Sequence, residues 1–258
     1  MAATRDGPNL DERRRRELAG SFQDGGGHYD RVRPGYPSSS LQWLLAGGGR
    51  SIQAVLDVGA GTGKYTDLLL RAGLDVVALD PSRDMLAQLA RRHPRVRTIH
   101  GAAEEIALPD ANMDAAVVAQ AWHWCDPLQA SAEISRVLRP GGTLGLIWNQ
   151  LDVSVPWVHR LSRIMHAGDV HRPGFRPLVG PEFSSLAAQV TQWEQPLTPA
   201  DLLELAQSRS YYLAAGVVDR NRVLGNLRWY LHEHLGHAVD DVLQLPYLTH
   251  TWRADKHV

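Results

Sequence analysis

The chain has 258 residues, 27 Lys and Arg against 28 Asp and Glu for a formal net charge of −1, 44% hydrophobic residues and one cysteine, Cys125. Such a length buries an extensive core as one large domain or two small ones, and the balanced charge offers no global field for nucleic acid or an anionic membrane. A single cysteine excludes an internal disulfide and a multi-cysteine zinc site, and neither a signal-like N-terminus nor a run of about 18 apolar residues is present, so the expected compartment is the reducing cytoplasm.

Residues 1–27 are polar, carry arginines at 13–16 and end in Gly25, Gly26 and Gly27; they read as a flexible arm whose basic run is diluted by Asp11, Glu12 and Glu17. Residues 28–50 open with a stretch rich in aromatics and proline, then pass through Ser38, Ser39 and Ser40 as possible caps into a helix over 41–45 that stops at Gly47. From 51 to 150, short apolar runs alternate with longer periodic ones, the pattern of βα units around a parallel sheet. Strands are predicted at 54–58, 75–80, 96–100, 113–119 and 143–148, and helices at 64–72, 82–93 and 128–138, the last ended by Arg139, Pro140, Gly141 and Gly142. With parallel strands and right-handed crossovers, the loops at the strands' C-terminal ends meet on one rim, where open α/β sheets bind ligands. Beyond 150, helices are predicted around 157–167, 200–211 and 219–237, with further strands at 188–195 and 242–252.

The first strand runs into Gly59, Gly61 and Gly63 and then a helix, an arrangement that lets backbone N–H groups approach a ligand. A nucleotide P-loop is excluded because Val58 and Tyr65 stand where Gly and Ser or Thr are required. The dinucleotide pattern also fails, since its third glycine falls one residue early and Lys64 fills the expected slot. Glycines that merely make a tight turn would explain the loop but not Asp80 at the end of the second strand.

Asp57, Gly59, Ala60, Gly61 and Gly63, followed by Asp80, resemble the first two motifs of the class I S-adenosylmethionine-dependent methyltransferases. The run from Gly101, Ala103 and Glu104 to Gln120, Ala121, Trp122, His123 and Trp124 is similar to the small-molecule group that includes trans-aconitate methyltransferase, and Tyr29, Arg33, Pro34, Tyr36 and Pro37 extend the likeness. The resemblance implies an α/β fold: a doubly wound, mostly parallel seven-stranded Rossmann-like sheet whose last strand is reversed, the final two strands forming a hairpin-like pair, plus a helical cap. It divides the chain into an arm at 1–27, a lid at 28–50, a cofactor-binding core at 51–150, and a cap with the last two strands at 151–258. It implies S-adenosyl-L-methionine as cofactor, with the glycine loop beside its amino-acid portion and Asp80 on the ribose hydroxyls, since a carboxylate offers two acceptor oxygens to a diol. Pro81 and Met85 fall beside that site, Ala103 and Glu104 serve the adenine, Gln120 and Ala121 the methionine end, and Tyr29 and Arg33 the lid.

The reaction implied is methyl transfer to a small molecule, with a carboxylate as the favoured acceptor; a carboxylate needs positioning cations rather than a base. His123 orients the acceptor or acts as base, against the reading in which Trp122 and Trp124 pack and His123 is only their polar neighbour. Arg33, Arg209 and His28 are candidate anion partners because a guanidinium fork binds two oxygens, and Tyr36, Trp122, Trp148, Asn149 and Tyr211 are candidate substrate walls. No metal is expected: His232, His234 and His237 lack the His-Glu-x-x-His spacing and read as an exposed helix face. Cys125 reads as a half-buried bystander. Neither a nucleic-acid nor a membrane partner is expected, and the oligomeric state is left open. The competing class is a non-catalytic sensor that binds the same cofactor, with an NAD enzyme more distant because of the glycine spacing.

Overall fold

The computed structural model of the chain describes residues 32–47, 51–167 and 174–257, and Tyr29 and His28 lie outside them. Seven strands form one sheet in the order β3-β2-β1-β4-β5-β7-β6. They are β1 (Ala54–Val58), β2 (Asp75–Asp80), β3 (Arg97–His100), β4 (Met113–Ala119), β5 (Leu138–Leu151), β6 (Ala187–Leu197) and β7 (Leu243–Asp255). β1 is parallel to β2 and β4, β2 to β3, and β4 to β5. β7 runs the other way: Lys256 donates to the Gly142 carbonyl at 2.8 Å, Thr143 to the Asp255 carboxylate at 2.9 Å, and Thr249 to the Asn149 side chain at 2.6 Å. Advancing along β5 thus means retreating along β7, as in an antiparallel ladder. The reversed last strand is as expected, and β6 and β7 are neighbours in the sheet, although no tight turn joins them. β7 inserts between β5 and β6, and three α-helices and a π-helical turn separate β6 from β7 in the chain.

The chain divides into two compact units. The first comprises Gly35–Asn149, Arg176–Thr191 and Thr249–Val258. It holds α1 (Ser38–Ala46), α2 (Lys64–Arg71), α3 (Arg83–Arg92) and α4 (Pro127–Val137). Every residue of β4 but its last is buried, as expected for a strand covered on both faces, and Val55, Leu69, Val76, Ala115, Val117 and Ile147 share one core cluster. Leu44 of α1 seats against Gly145, where an added Cβ would lie 2.0 Å from a Leu44 methyl. Local signals start the helices: Asp126 caps α4 by accepting from Leu128 and Gln129 with Pro127 at the first turn, and Ser82 caps α3.

The second unit comprises the segment ending at Pro34, Gln150–Phe175 and Gln192–Leu248. It contains α5 (Pro156–Ile164), α6 (Pro199–Gln207), α7 (Ser210–Ala214) and α8 (Val217–Arg228), with Leu161, Leu202, Leu205, Leu227, Tyr230 and Leu245 in its core. A capping box between Thr198 and Asp201 starts α6. The helix expected over 200–211 breaks at Ser208 and Arg209, where the backbone turns extended before α7, and the helix expected to 237 passes into a π-helical turn at Trp229–His234.

Candidate active site

In the first unit, β1 delivers the glycine loop to the strand ends. Gly59, Gly61 and Gly63 have φ of 69°, 56° and 94°, a region that only glycine occupies at little cost. Gly59 and Ala60 donate to the Leu79 carbonyl at 2.8 and 3.0 Å, tying the loop to β2. An added Cβ at Gly59 would sit 2.4 Å from the Ala121 methyl, so glycine here lets the loop meet the exit of β4. At Gly61 the same atom would lie 3.6 Å from the Met85 sulfur.

Two carboxylates sit beneath this loop. Asp80 is 6% exposed and accepts from the Gly61 N–H at 2.8 Å through one oxygen and from the Ser82 N–H at 2.7 Å through the other. Burial raises its pKa against those two N–H groups and His100. Each oxygen retains acceptor capacity for a hydroxyl, whereas the Gly61 N–H, a donor that a phosphate would require, is already engaged. Asp57 is 1% exposed, accepts from the Thr66 hydroxyl at 2.6 Å, and is pushed up to about 7 by burial, with a further contribution from Asp80. Thr66, on the first turn of α2, was not singled out from the sequence; its signal is a small hydroxyl just after the glycine loop.

Ala103 is buried, and Glu104 accepts from the Asp126 N–H at 2.7 Å. Pro81 is exposed beside Asp80. Gln120 leaves β4 with φ 56°, its N–H bonded to the Ile147 carbonyl at 2.8 Å and its side-chain amide to the Asn149 carbonyl at 2.9 Å. Trp122–Trp124 form a single 3₁₀ turn. Trp122 is 4% exposed and its indole donates to the Leu178 carbonyl at 3.0 Å, which makes it an anchor for the turn. His123 is exposed, and its Nδ1 receives the indole N–H of the buried Trp148 at 3.4 Å. Trp148 stands edge-on to Trp252 at 5.2 Å, and Trp252 stacks on His250, whose pKa burial lowers. Asn149 is a clamp between strands: its amide donates to the Gly35 carbonyl at 2.7 Å and accepts from Thr249. Tyr36 packs edge-on against Tyr65 at 4.9 Å.

In the second unit, Arg33 donates to the Ser208 carbonyl at 2.6 Å, so the segment before α7 gathers Arg33 and the buried Arg209. Tyr211 is exposed and stacks on His166 at 3.9 Å between ring centres. Among the described residues no three His, Cys, Asp or Glu converge on a metal position, and no helix is long and apolar enough to cross a membrane. His232 bonds the His237 carbonyl and His237 bonds Asp241. Burial, then Glu104 and Asp126, push the Cys125 thiol up to about 12.

Residues 56–146 match the model of a methyltransferase domain family. An uncharacterized methyltransferase of Mycobacterium tuberculosis is 43% identical over 241 residues, 93% of this chain and 97% of that one. A solved structure from Anaeromyxobacter dehalogenans, described as a type II methyltransferase, superposes with a TM-score of 0.67 at 28% identity, covering 87% of this chain and 97% of that one. The malonyl-[acyl-carrier protein] O-methyltransferase of Pectobacterium atrosepticum is 35% identical over 128 residues, 49% of this chain and 51% of that enzyme. The glycine loop, the paired carboxylates and full-length similarity agree: the chain belongs to the class I methyltransferases and is an enzyme whose methyl donor is S-adenosyl-L-methionine.

Proposed function

We propose that the chain methylates a carboxylate of a small-molecule acceptor, which His123 holds as a hydrogen-bond donor rather than deprotonates. The observation that carries this reading is the Trp148 N–H directed at His123 Nδ1. An indole N–H can only donate, so Nδ1 is the lone-pair nitrogen, and the single N–H of the neutral ring lies on Nε2. An Nε2–H suits a carboxylate oxygen, which accepts. A hydroxyl acceptor would need a base, and Nδ1 could serve only by giving up its indole partner. The acceptor class draws further support from the Pectobacterium relative, whose name describes O-methylation of a malonyl group.

S-adenosylmethionine supplies an electrophilic methyl group on a sulfonium, and the residues present fit it. Asp80 offers its remaining lone pairs to the ribose diol, Ala103 and Glu104 face the adenine, and Gln120 and Ala121 take the methionine end beside Gly59. Met85 and Pro81 bound the loop, and Asp57 holds its base through Thr66. Arg33 and Arg209 are the second unit's candidate acceptor cations and Tyr211 its candidate wall, Tyr36 is the first unit's candidate wall, and Trp122 and Trp148 act from beneath as packing. Since a carboxylate arrives ionised, what the chain must provide is orientation and exclusion of water.

The test compares His123→Ala with His123→Gln, which keeps an N–H donor and has no basic nitrogen. Alanine should cost about tenfold in kcat/KM for the acid, chiefly through KM, and glutamine should restore most of it. A glutamine variant as inactive as alanine would show that His123 works as a base.

A further inference from the structure

A second site lies in the second unit, lined by none of the residues assigned above to the reaction, although one lining residue, His166, stacks on Tyr211. A cleft of about 510 Å³ opens between α5 and α8. His159 and Arg163 share one face of α5 at helical spacing, His166 follows the end of that helix at a φ of 49°, Arg160 stands beside them, and Arg222 of α8 closes the opposite wall over a floor of Ile164 and Val223. Among the described residues, no acidic residue lines the cleft. Arg160 is held over the rings of Trp229 and Tyr230 at 5.5 and 5.2 Å, which orders its guanidinium without neutralising it. Among the described residues, neither Arg160 nor Arg163 pairs with a carboxylate, and Arg222 alone has one, Asp219 at 2.8 Å.

Three guanidinium groups facing one concavity, only one of them paired with a carboxylate, favour an anion between them, and a guanidinium fork matches the paired oxygens of phosphate or carboxylate. We propose that this cleft binds a small polyanion, a molecule carrying two or more phosphate or carboxylate groups. Its volume falls in the range of small-molecule sites, and the Ile164 and Val223 floor accommodates the ligand's carbon body.

Isothermal titration of the full chain with inorganic pyrophosphate and with citrate tests the proposal and separates the two anion chemistries. Saturable binding of at least one probe is expected, weakened about tenfold or more in Arg163→Ala/Arg222→Ala, with S-adenosylmethionine binding unchanged. Both positions are exposed, so the variant should fold, and its thermal melt checks this. Absence of saturable binding by both probes, or undiminished affinity in the folded double variant, would overturn the proposal.

Discussion

Asp57→Asn isolates the buried carboxyl under the glycine loop, because asparagine keeps an oxygen to accept from Thr66 and removes the ionisation. In the folded chain this group is pushed from its ordinary 3.8 up to about 7. Between those two values the folded chain holds a proton that the unfolded chain has released, so the stability it contributes falls as pH rises through the window. Below the window both states are protonated; above it both are ionised and the loss is complete. About three pH units correspond to roughly 4 kcal/mol, undiminished by screening because the group is 1% exposed. Urea unfolding of the cofactor-free chain from pH 4 to 8 should therefore show the variant gaining on the parent by up to that amount, then levelling near pH 7. The readout is the slope, so any fixed cost of burying the asparagine amide does not enter. A difference between the two proteins that stays constant across the range would refute the burial argument.

Two other substitutions or probes follow from the same geometry. Gly59→Ala combines a φ of 69° with a Cβ placed 2.4 Å from Ala121; it should cost about 2–4 kcal/mol in thermal or urea unfolding and abolish calorimetric binding of S-adenosylmethionine, and unchanged binding would contradict the close approach of loop and strand. Cys125, with its thiol pushed from 9.0 up to about 12, should react about a thousandfold more slowly with iodoacetamide at pH 8 than an ordinary thiol, and labelling at the ordinary rate would contradict its burial.

What the sequence conveyed was local in origin. β1, β2 and β4 begin and end where the apolar runs do, because strands buried on both faces leave an uninterrupted signal. The glycines at 59, 61 and 63 were legible because each adopts a conformation that other residues reach only at a cost. The Arg139 to Gly142 stretch was half legible: the helix ends just before it at Val137, as read, but the stretch itself lies within β5, where pairing jumps from Met113 with Leu138 to Ala115 with Thr143. The break between α6 and α7 carries no Gly or Pro; it comes with Ser208 donating back to the Leu205 carbonyl and Arg33 donating to Ser208 itself. The place of β7 and the roles of Trp148 and Asn149 depend on contacts between distant segments, which periodicity does not encode. Asn149, read as a wall, spends its side chain on Gly35 and Thr249.

Transfer of a radiolabelled methyl group from S-adenosylmethionine to a panel of small carboxylic acids, amines and alcohols addresses the account most directly. Label is expected on one or more acids, released by mild alkali as from a methyl ester. Label found only on an amine or alcohol, or bound in an alkali-stable form, would contradict it.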